Sequence, residues 1–196
     1  MNVGSTPTIR SMLKTEYITG SSEKSREPYD FYSTPPEATK ALLDRESFPG
    51  LVWEPACGSG AMSEVLETAG EIESVVSSDI CDRGFGMASI DFLSAKSTGA
   101  FDHIITNPPY GRAQEFIEKA LSSAKHKVAM LLKLNFLEGQ KRAQFFKEHP
   151  PARIYVFSKR LSFNKGDEKS KGRGLLAYAW YVWEKGFTGD PTLQWI

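Results

Sequence analysis

The sequence LVWEPACGSG, residues 51–60, sets the architecture that we expect for this chain. Its first four residues are typical of a short buried strand, and Pro55 begins a tight turn. Gly58 and Gly60 let the backbone turn sharply and approach a ligand closely. Residues 61–68 then continue as a predicted helix. Two glycines without a following lysine do not make a triphosphate-binding loop, and they fall short of the full dinucleotide motif.

Strands and helices alternate on either side of this stretch. We predict strands at 51–54, 72–78, 88–92, 101–106, 128–134, 153–157 and 175–184, and helices at 35–46, 61–68, 114–124 and 138–148. This order predicts an α/β fold with a doubly wound, mostly parallel sheet of seven strands and helices on both faces. The last two strands are joined by a loop, which indicates one antiparallel strand. Thr34 is expected to cap the first helix, because Pro35 and Pro36 follow it.

Composition limits the classes of protein that the chain can belong to. Its 196 residues carry 40% hydrophobic side chains and a formal net charge of zero. We expect an N-terminal arm at 1–28, rich in Ser, Thr, Lys and Glu, and one catalytic domain at 29–196. A polycation is excluded, so any nucleic-acid contact requires a local basic patch. Cys57 and Cys81 show no disulfide or metal-ligand spacing, and no apolar run spans a bilayer, which favours a cytoplasmic protein without a metal.

A polar and proline-rich segment follows the predicted strand at 101–106. In the sequence Asn107-Pro108-Pro109-Tyr110, the Asn107 side-chain oxygen and the Pro108 carbonyl can both accept hydrogen bonds from an amino group. The prolines hold the backbone nearly fixed. The Tyr110 ring offers a flat face on which a planar base can stack. The segment therefore predicts a site for an exocyclic NH2 group on a flat heterocycle.

Four elements fall at predicted strand ends in one linear order: the Gly58–Gly60 turn, Asp79, Asp91-Phe92, and the segment beginning at Asn107. Asp79 can accept both hydroxyls of a ribose, as carboxylates do in other doubly wound sheets. Together the elements resemble the class I S-adenosylmethionine-dependent methyltransferases, in the branch that methylates adenine N6. The resemblance covers the chain from about residue 30 to its C-terminus. It implies a methyl transfer with S-adenosylmethionine as cofactor and no metal.

The resemblance also assigns roles to single residues. Phe31 and Thr34 would touch the methionine part of the cofactor, and Glu54 would orient the glycine turn or the amino group. Ile80 would pack on the cofactor's adenine, Asp91 would accept from its amino group, and Phe92 would stack nearby. The full cofactor set is Phe31, Thr34, Glu54, Pro55, Ala56, Cys57, Gly58, Gly60, Asp79, Ile80, Asp91, Phe92 and Asn107; the catalytic set is Asn107, Pro108, Pro109 and Tyr110.

A basic loop lies between the last two predicted strands. We expect its cations, with Arg112 behind the catalytic segment, to contact nucleic-acid phosphates; these residues are Arg112, Lys159, Arg160, Lys165, Lys169, Lys171 and Arg173. Residues 136–142 and 178–183 resemble small phage and prophage methyltransferases. DNA is the expected substrate. The same reaction on RNA, a protein glutamine methyltransferase and a non-catalytic cofactor-binding subunit remain alternatives.

Overall fold

The computed structural model describes residues 32–97, 99–165 and 176–196. The expected arm at 1–28, Phe31, Lys169, Lys171 and Arg173 lie outside these residues. The strands are β1 (Tyr32–Ser33), β2 (Gly50–Glu54), β3 (Ile72–Ser77), β4 (Phe101–Thr106), β5 (Ala124–Lys133), β6 (Arg153–Val156), β7 (Asn164–Lys165), β8 (Tyr178–Glu184) and β9 (Thr192–Trp195). The α-helices are α1 (Pro36–Leu43), α2 (Ser63–Leu66), α3 (Ala113–Ser123) and α4 (Gln140–Glu148), and Tyr110–Arg112 and Leu134–Leu137 form 3-10 turns.

Seven strands form one sheet in the order β3-β2-β4-β5-β8-β6-β9. The pairs β3-β2, β2-β4, β4-β5 and β6-β9 are parallel, whereas β8 is antiparallel to both of its neighbours. The predicted class, a seven-stranded and mostly parallel sheet with one antiparallel strand, is therefore confirmed. The sheet order reverses between β2 and β4, and ligands of open α/β sheets bind outside the carboxyl ends of the strands at such a point.

One of the seven predicted strands is wrong. Residues 88–92 form no strand, and a parallel bridge between Ser78 and Met87 lies just before this stretch. The seventh strand is instead β9, at the opposite edge beside β6. Its four residues are all exposed, so they lack the buried apolar pattern by which a strand is predicted from sequence.

Two hydrophobic clusters cover the two faces of the sheet. Trp53, Phe92 and Phe101 lie in one cluster with the apolar side of α3. The other cluster holds Leu42 of α1 together with Trp180, whose indole N–H donates to the carbonyl of Ala38 at 2.8 Å. Helices therefore lie on both faces, as the alternation of elements predicted. No helix in the described part of the chain is both long and apolar enough to cross a membrane.

The start of α1 differs from the expectation. Pro35 is the residue before the first helical turn, and no side chain caps the helix. The Thr34 hydroxyl contacts Asn107 instead, as described below. Just before α1, β1 pairs with β7 in a separate two-stranded sheet, with Tyr32 opposite Lys165. This pairing holds the beginning of the basic loop beside the carboxyl ends of the main strands.

Candidate active site

A cavity of about 270 Å³ opens at the carboxyl ends of β2, β3 and β4. It lies at the reversal of the strand order, where an α/β sheet is expected to bind its ligand. Its lining residues are Tyr32, Pro55, Ala56, Asp79, Ile80, Arg83, Ile90, Asp91, Phe92, Asn107, Pro108, Pro109, Tyr110, Gly111, Arg112 and Phe116. The structure thus brings all four predicted catalytic residues together with seven of the predicted cofactor residues.

Asp79 connects the cavity to the glycine turn. One carboxylate oxygen accepts the backbone N–H of Gly58 at 2.9 Å, and the other accepts that of Cys81 at 2.9 Å. Each oxygen has a second lone pair. The carboxylate therefore holds the turn in place and retains acceptor capacity for hydroxyl groups in the cavity.

The glycine turn itself stands back from the cavity. Cys57, Gly58 and Gly60 do not belong to its lining. Gly60 has a φ of +91°, and a Cβ built there would lie 2.5 Å from a carbon of the Phe85 ring. The close approach that requires glycine at this position is therefore made to Phe85, a residue that no motif in the sequence singled out. Burial raises the pKa of the Cys57 thiol to about 12, and the charges of Glu54 and Asp79 act in the same direction. The thiol therefore stays protonated and is not a nucleophile.

Glu54 lies behind the glycine turn and faces away from the cavity. Its side chain is 2% exposed and accepts a hydrogen bond from the Ser63 hydroxyl at the start of α2; Ser63 in turn bonds the Ser77 hydroxyl at 2.6 Å. Burial, with a smaller contribution from the nearby Asp79, raises the pKa of Glu54 to about 8 against the opposing effect of Ser63. At neutral pH Glu54 is therefore mostly protonated.

Apolar side chains form one wall of the cavity. Phe92 packs edge-on against Trp53 at 4.9 Å between ring centroids and lies 5.0 Å from Phe116. Phe92 is thus a core residue that also faces the cavity. Five lining residues were not among the residues predicted from the sequence: Tyr32, Arg83, Ile90, Gly111 and Phe116. Ile90 was placed in a strand that does not form, and nothing in the sequence pattern distinguished Tyr32, Arg83 or Phe116 from ordinary core or surface residues.

Asn107 is held by one side of its amide group. Its Nδ2 donates to the Thr34 hydroxyl oxygen at 3.1 Å and lies 3.5 Å from the carbonyl of Tyr32. A carbonyl can only accept, so this side of the amide is the NH2 group. The other side carries Oδ1, which is buried and has no hydrogen-bond partner within the described residues. A buried acceptor without a partner costs about 1–3 kcal/mol, and it indicates a missing donor in the cavity.

Tyr110 lies among other aromatic rings at one end of the cavity. Its ring is 6.4 Å from that of Tyr32, at 24° between the planes, and 5.9 Å from that of Tyr178. The Lys133 Nζ, at the end of β5, lies 4.4 Å from the Tyr110 ring centroid. Burial raises the pKa of the Tyr110 phenol, so the group stays neutral. The ring is fixed by its neighbours and can act as a stacking surface.

The predicted phosphate contacts are only partly described. Arg112 lines the cavity and forms an ion pair with Glu115 at 2.8 Å, with about half of each side chain exposed. Lys159 and Arg160 are exposed after β6, and the backbone of Lys165 pairs with Tyr32 beside the cavity. Within the described ranges, no group of His, Cys, Asp or Glu side chains is arranged to hold a metal ion.

No family model matches the sequence, and no curated protein matches it. Solved structures do match. A predicted O-methyltransferase from Agrobacterium tumefaciens superposes with a TM-score of 0.57 at 12% identity, over 82% of this chain and 85% of its own. A type I restriction-modification system methyltransferase subunit from Streptococcus thermophilus gives 0.53 at 13% identity, over 80% of this chain. A SAM-dependent O-methyltransferase from Thermotoga maritima gives 0.52 at 17% identity, over 86% of this chain and 69% of its own.

The chain spans 46% of the length of the Streptococcus thermophilus subunit. At these identities the likeness shows the fold alone. The chain has the class I methyltransferase fold, as the order of its motifs predicted. What it binds and which reaction it catalyses depend on the residues of the cavity rather than on the fold.

Proposed function

We propose that this chain transfers a methyl group from S-adenosylmethionine to the exocyclic N6 amine of adenine in DNA. The proposal rests on the environment of the Asn107 amide. Its buried Oδ1 has no hydrogen-bond partner among the described residues, whereas its Nδ2 donates to Thr34. An amine with two N–H groups is the donor that such an acceptor requires. The Pro108 carbonyl, at the same strand end, supplies a second acceptor.

The nucleoside part of the cofactor fits the cavity by the chemistry of its lining. Ile80, Ile90 and Phe92 offer apolar surface to an adenine ring, and Asp79 and Asp91 offer acceptors for hydroxyl and amino groups. Asp91 has one carboxylate oxygen on the backbone N–H of Leu93 at 3.1 Å, which fixes its orientation. The methionine part would lie toward Pro55 and Asn107. Gly58 and Gly60 would support it only through the turn that they form.

The residues at the end of β4 activate the acceptor amine. The lone pair of an aromatic amine is delocalised into its ring, which makes the nitrogen a weak nucleophile. Hydrogen bonds to Asn107 and Pro108 favour a tetrahedral nitrogen with a localised lone pair, and their oxygens face the positive charge that develops on it. Tyr110 orients the heterocycle by stacking. The cofactor supplies an electrophilic methyl group on a sulfonium. A base within a duplex must first leave the stack to reach these residues.

Two observations favour nucleic acid as the substrate. The β1–β7 pairing places residues 164–165 of the basic loop beside Tyr32, and Lys159 and Arg160 of the same loop are exposed. One structural neighbour is named as a methyltransferase subunit of a restriction-modification system. DNA is the proposed substrate, and RNA is a separate outcome of the test.

The test is methyl transfer from tritiated S-adenosylmethionine to unmethylated DNA, to RNA and to protein, with the product nucleosides identified by mass spectrometry. We expect N6-methyladenine in DNA. Asn107→Ala should lower kcat by about 10²–10³-fold, the usual effect of removing one preorganised transition-state contact. Binding of the cofactor, measured by calorimetry, should stay within about threefold, because the amide oxygen acts on the amine.

Gln144→Ala is the matched control, since it removes an exposed amide on α4 that bonds only Glu148. It should leave the rate unchanged. Label found only in RNA or protein would overturn the choice of substrate. Full activity in Asn107→Ala would overturn the proposed site.

A further inference from the structure

A second cavity, of about 460 Å³, lies beside the first. Its lining residues are Lys133, Leu134, Asn135, Leu137, Glu138, Leu176 and Ala177. Tyr110 lines the first cavity and not the second, whereas Lys133 lines the second and not the first. Because the Lys133 Nζ lies 4.4 Å from the centroid of the Tyr110 ring, these two side chains form the boundary between the cavities.

Lys133 has an unusual environment for a lysine at a strand end. Its Nζ forms no ion pair and no hydrogen bond within the described residues, and it lies over the Tyr110 ring. An ammonium on an aromatic face keeps its donors available to an anion at the edge of the ring. Arg142 adds a second positive charge nearby, because its guanidinium donates to the carbonyl of Asn135 at 2.9 Å. The boundary between the cavities is thus positively charged.

The rest of the second cavity is largely apolar. Leu137 is 38% exposed and Leu176 is 44% exposed, so both present surface to an incoming group. Asn135 and Glu138 supply polar groups at the same site. Glu138 disfavours an anion and does not pair with Lys133, so the anionic part of a ligand belongs at the Lys133 end. A ligand with one negative group, followed by a flat ring with amino groups, matches this arrangement.

We propose that the second cavity binds the nucleotide next to the methylated one, with Lys133 on the phosphate between them. The inference rests on the proposed function, since it places the methylated base against Tyr110 in the first cavity. Consecutive nucleotides of one strand then lie on the two sides of the Tyr110–Lys133 boundary. Leu137 and Leu176 contact the neighbouring base, and Asn135 and Glu138 contact its polar edge. The site therefore reads a short sequence context directly beside the target.

The test uses Lys133→Met, which removes the charge and keeps an apolar side chain of similar length. Binding of a single-stranded oligonucleotide should become less dependent on salt, with the slope of log K against log [KCl] reduced by about 0.7, the value for one phosphate contact on a single strand. Lys125→Met is the control. Lys125 lies on the same strand β5 but at its opposite end, paired with Asp102 at 3.0 Å, and its loss should leave the slope unchanged.

A second measurement locates the phosphate. Oligonucleotides that carry one neutral methylphosphonate, at each position within two nucleotides of the target adenine, are compared with the unmodified strand. In the wild-type protein one position should lower kcat/KM by about tenfold, and in Lys133→Met that same position should have no further effect. Equal sensitivity to every methylphosphonate in both proteins would overturn the inference.

The inference and the function on which it rests can fail separately. If the wild-type protein methylates the oligonucleotide while Lys133→Met keeps the full salt slope, the neighbouring-nucleotide site is wrong and the proposed function stands. If the wild-type protein neither binds nor methylates the oligonucleotide, the proposed function itself is wrong, and the inference falls with it.

Discussion

The two ends of strand β2 hold two buried glutamates in opposite states. Glu46, before the strand, is 6% exposed and Glu54, at its end, is 2% exposed. Glu46 accepts from Arg153, from Lys127 at 2.7 Å and from the Tyr155 hydroxyl at 2.8 Å. Burial alone would raise the pKa of Glu46, but these three partners together lower it. Glu54 is hydrogen-bonded to Ser63 rather than to a cation, and burial raises its pKa to about 8.

The same contrast appears along strand β5. Lys127, near its start, is paired with Glu46, whereas Lys133, at its end, lies on the Tyr110 ring. At the amino ends of β5 and β6 the charged groups named here satisfy one another and join these strands to the segment that follows α1. At the carboxyl ends, Asn107 Oδ1 lacks a partner within the described residues. The comparison indicates that the amino ends stabilise the fold and that the carboxyl ends are arranged for a ligand.

The largest expected effect is a loss of stability, and it tests whether the charged groups at the amino ends of the strands stabilise the fold. Glu46→Ala leaves Lys127 and Arg153 partly buried without their shared carboxylate, and it should lower the free energy of unfolding by about 3–5 kcal/mol. Denaturant unfolding measures the change. Glu115→Ala is the control, because its ion pair with Arg112 is exposed and screened by solvent, so its loss should change the stability far less. Similar losses in the two variants would mean that the amino ends carry no special share of the stability.

A smaller effect is expected where Thr34 holds Asn107. Thr34 is 6% exposed, and its hydroxyl oxygen accepts a hydrogen bond from the Asn107 NH2 group at 3.1 Å. Thr34→Val keeps the shape and removes the hydrogen bond, so kcat should fall by about tenfold, which corresponds to about 1.4 kcal/mol. Thr34→Ser should restore most of the rate.

The affinity for the cofactor distinguishes this role of Thr34 from the one that the sequence resemblance implied. A residue that positions the amide changes kcat and leaves cofactor binding nearly constant. A loss of cofactor affinity in Thr34→Val, with kcat unchanged, would restore the assignment of Thr34 to the methionine part.

The elements that the sequence predicted correctly are those with buried apolar strands and glycine or proline at their ends. Strand β4 and the segment from Asn107 to Tyr110 are examples, because the strand pattern and the prolines are local signals. Strand β9 has no such signal, since all of its side chains are exposed. The absent strand at 88–92 shows the opposite case, in which a plausible local pattern has no partner in the sheet beyond the bridge at Met87.

The features of the site that could not be predicted from the sequence depend on contacts between residues that are far apart in the chain. Asn107 and Thr34 are 73 residues apart, and Trp180 and Ala38 are 142 residues apart. The contact of Phe85 with Gly60, and the place of Arg83 in the cavity wall, likewise depend on how the loop after β3 folds back. Residue types and their spacing predicted the acceptor oxygen of Asn107, whereas the group that orients it became visible only in three dimensions.

The dependence of stability on pH is the measurement that separates the two glutamates. The pKa of Glu54 is raised in the folded state, from an ordinary value of 4.5 to about 8. The folded protein therefore binds a proton more tightly than the unfolded chain between these values. The contribution of Glu54 to the free energy of unfolding is complete below pH 4.5 and is lost as the pH rises through 8. Glu46 has a lowered pKa, so its contribution is lost only as the pH falls below 4.5.

Glu54→Gln imitates the protonated form at every pH, because an amide keeps the shape and cannot ionise. The free energy of unfolding of the wild-type protein should fall by at least about 1 kcal/mol between pH 6 and pH 8.5 relative to the variant, since each unit of pKa shift corresponds to about 1.4 kcal/mol. Chemical denaturation at both pH values measures the difference. Parallel pH profiles for the two proteins would show that Glu54 is ionised in the folded state, with Ser63 as a sufficient partner for its charge. The carboxyl end of β2 would then hold a satisfied anion just as its amino end does.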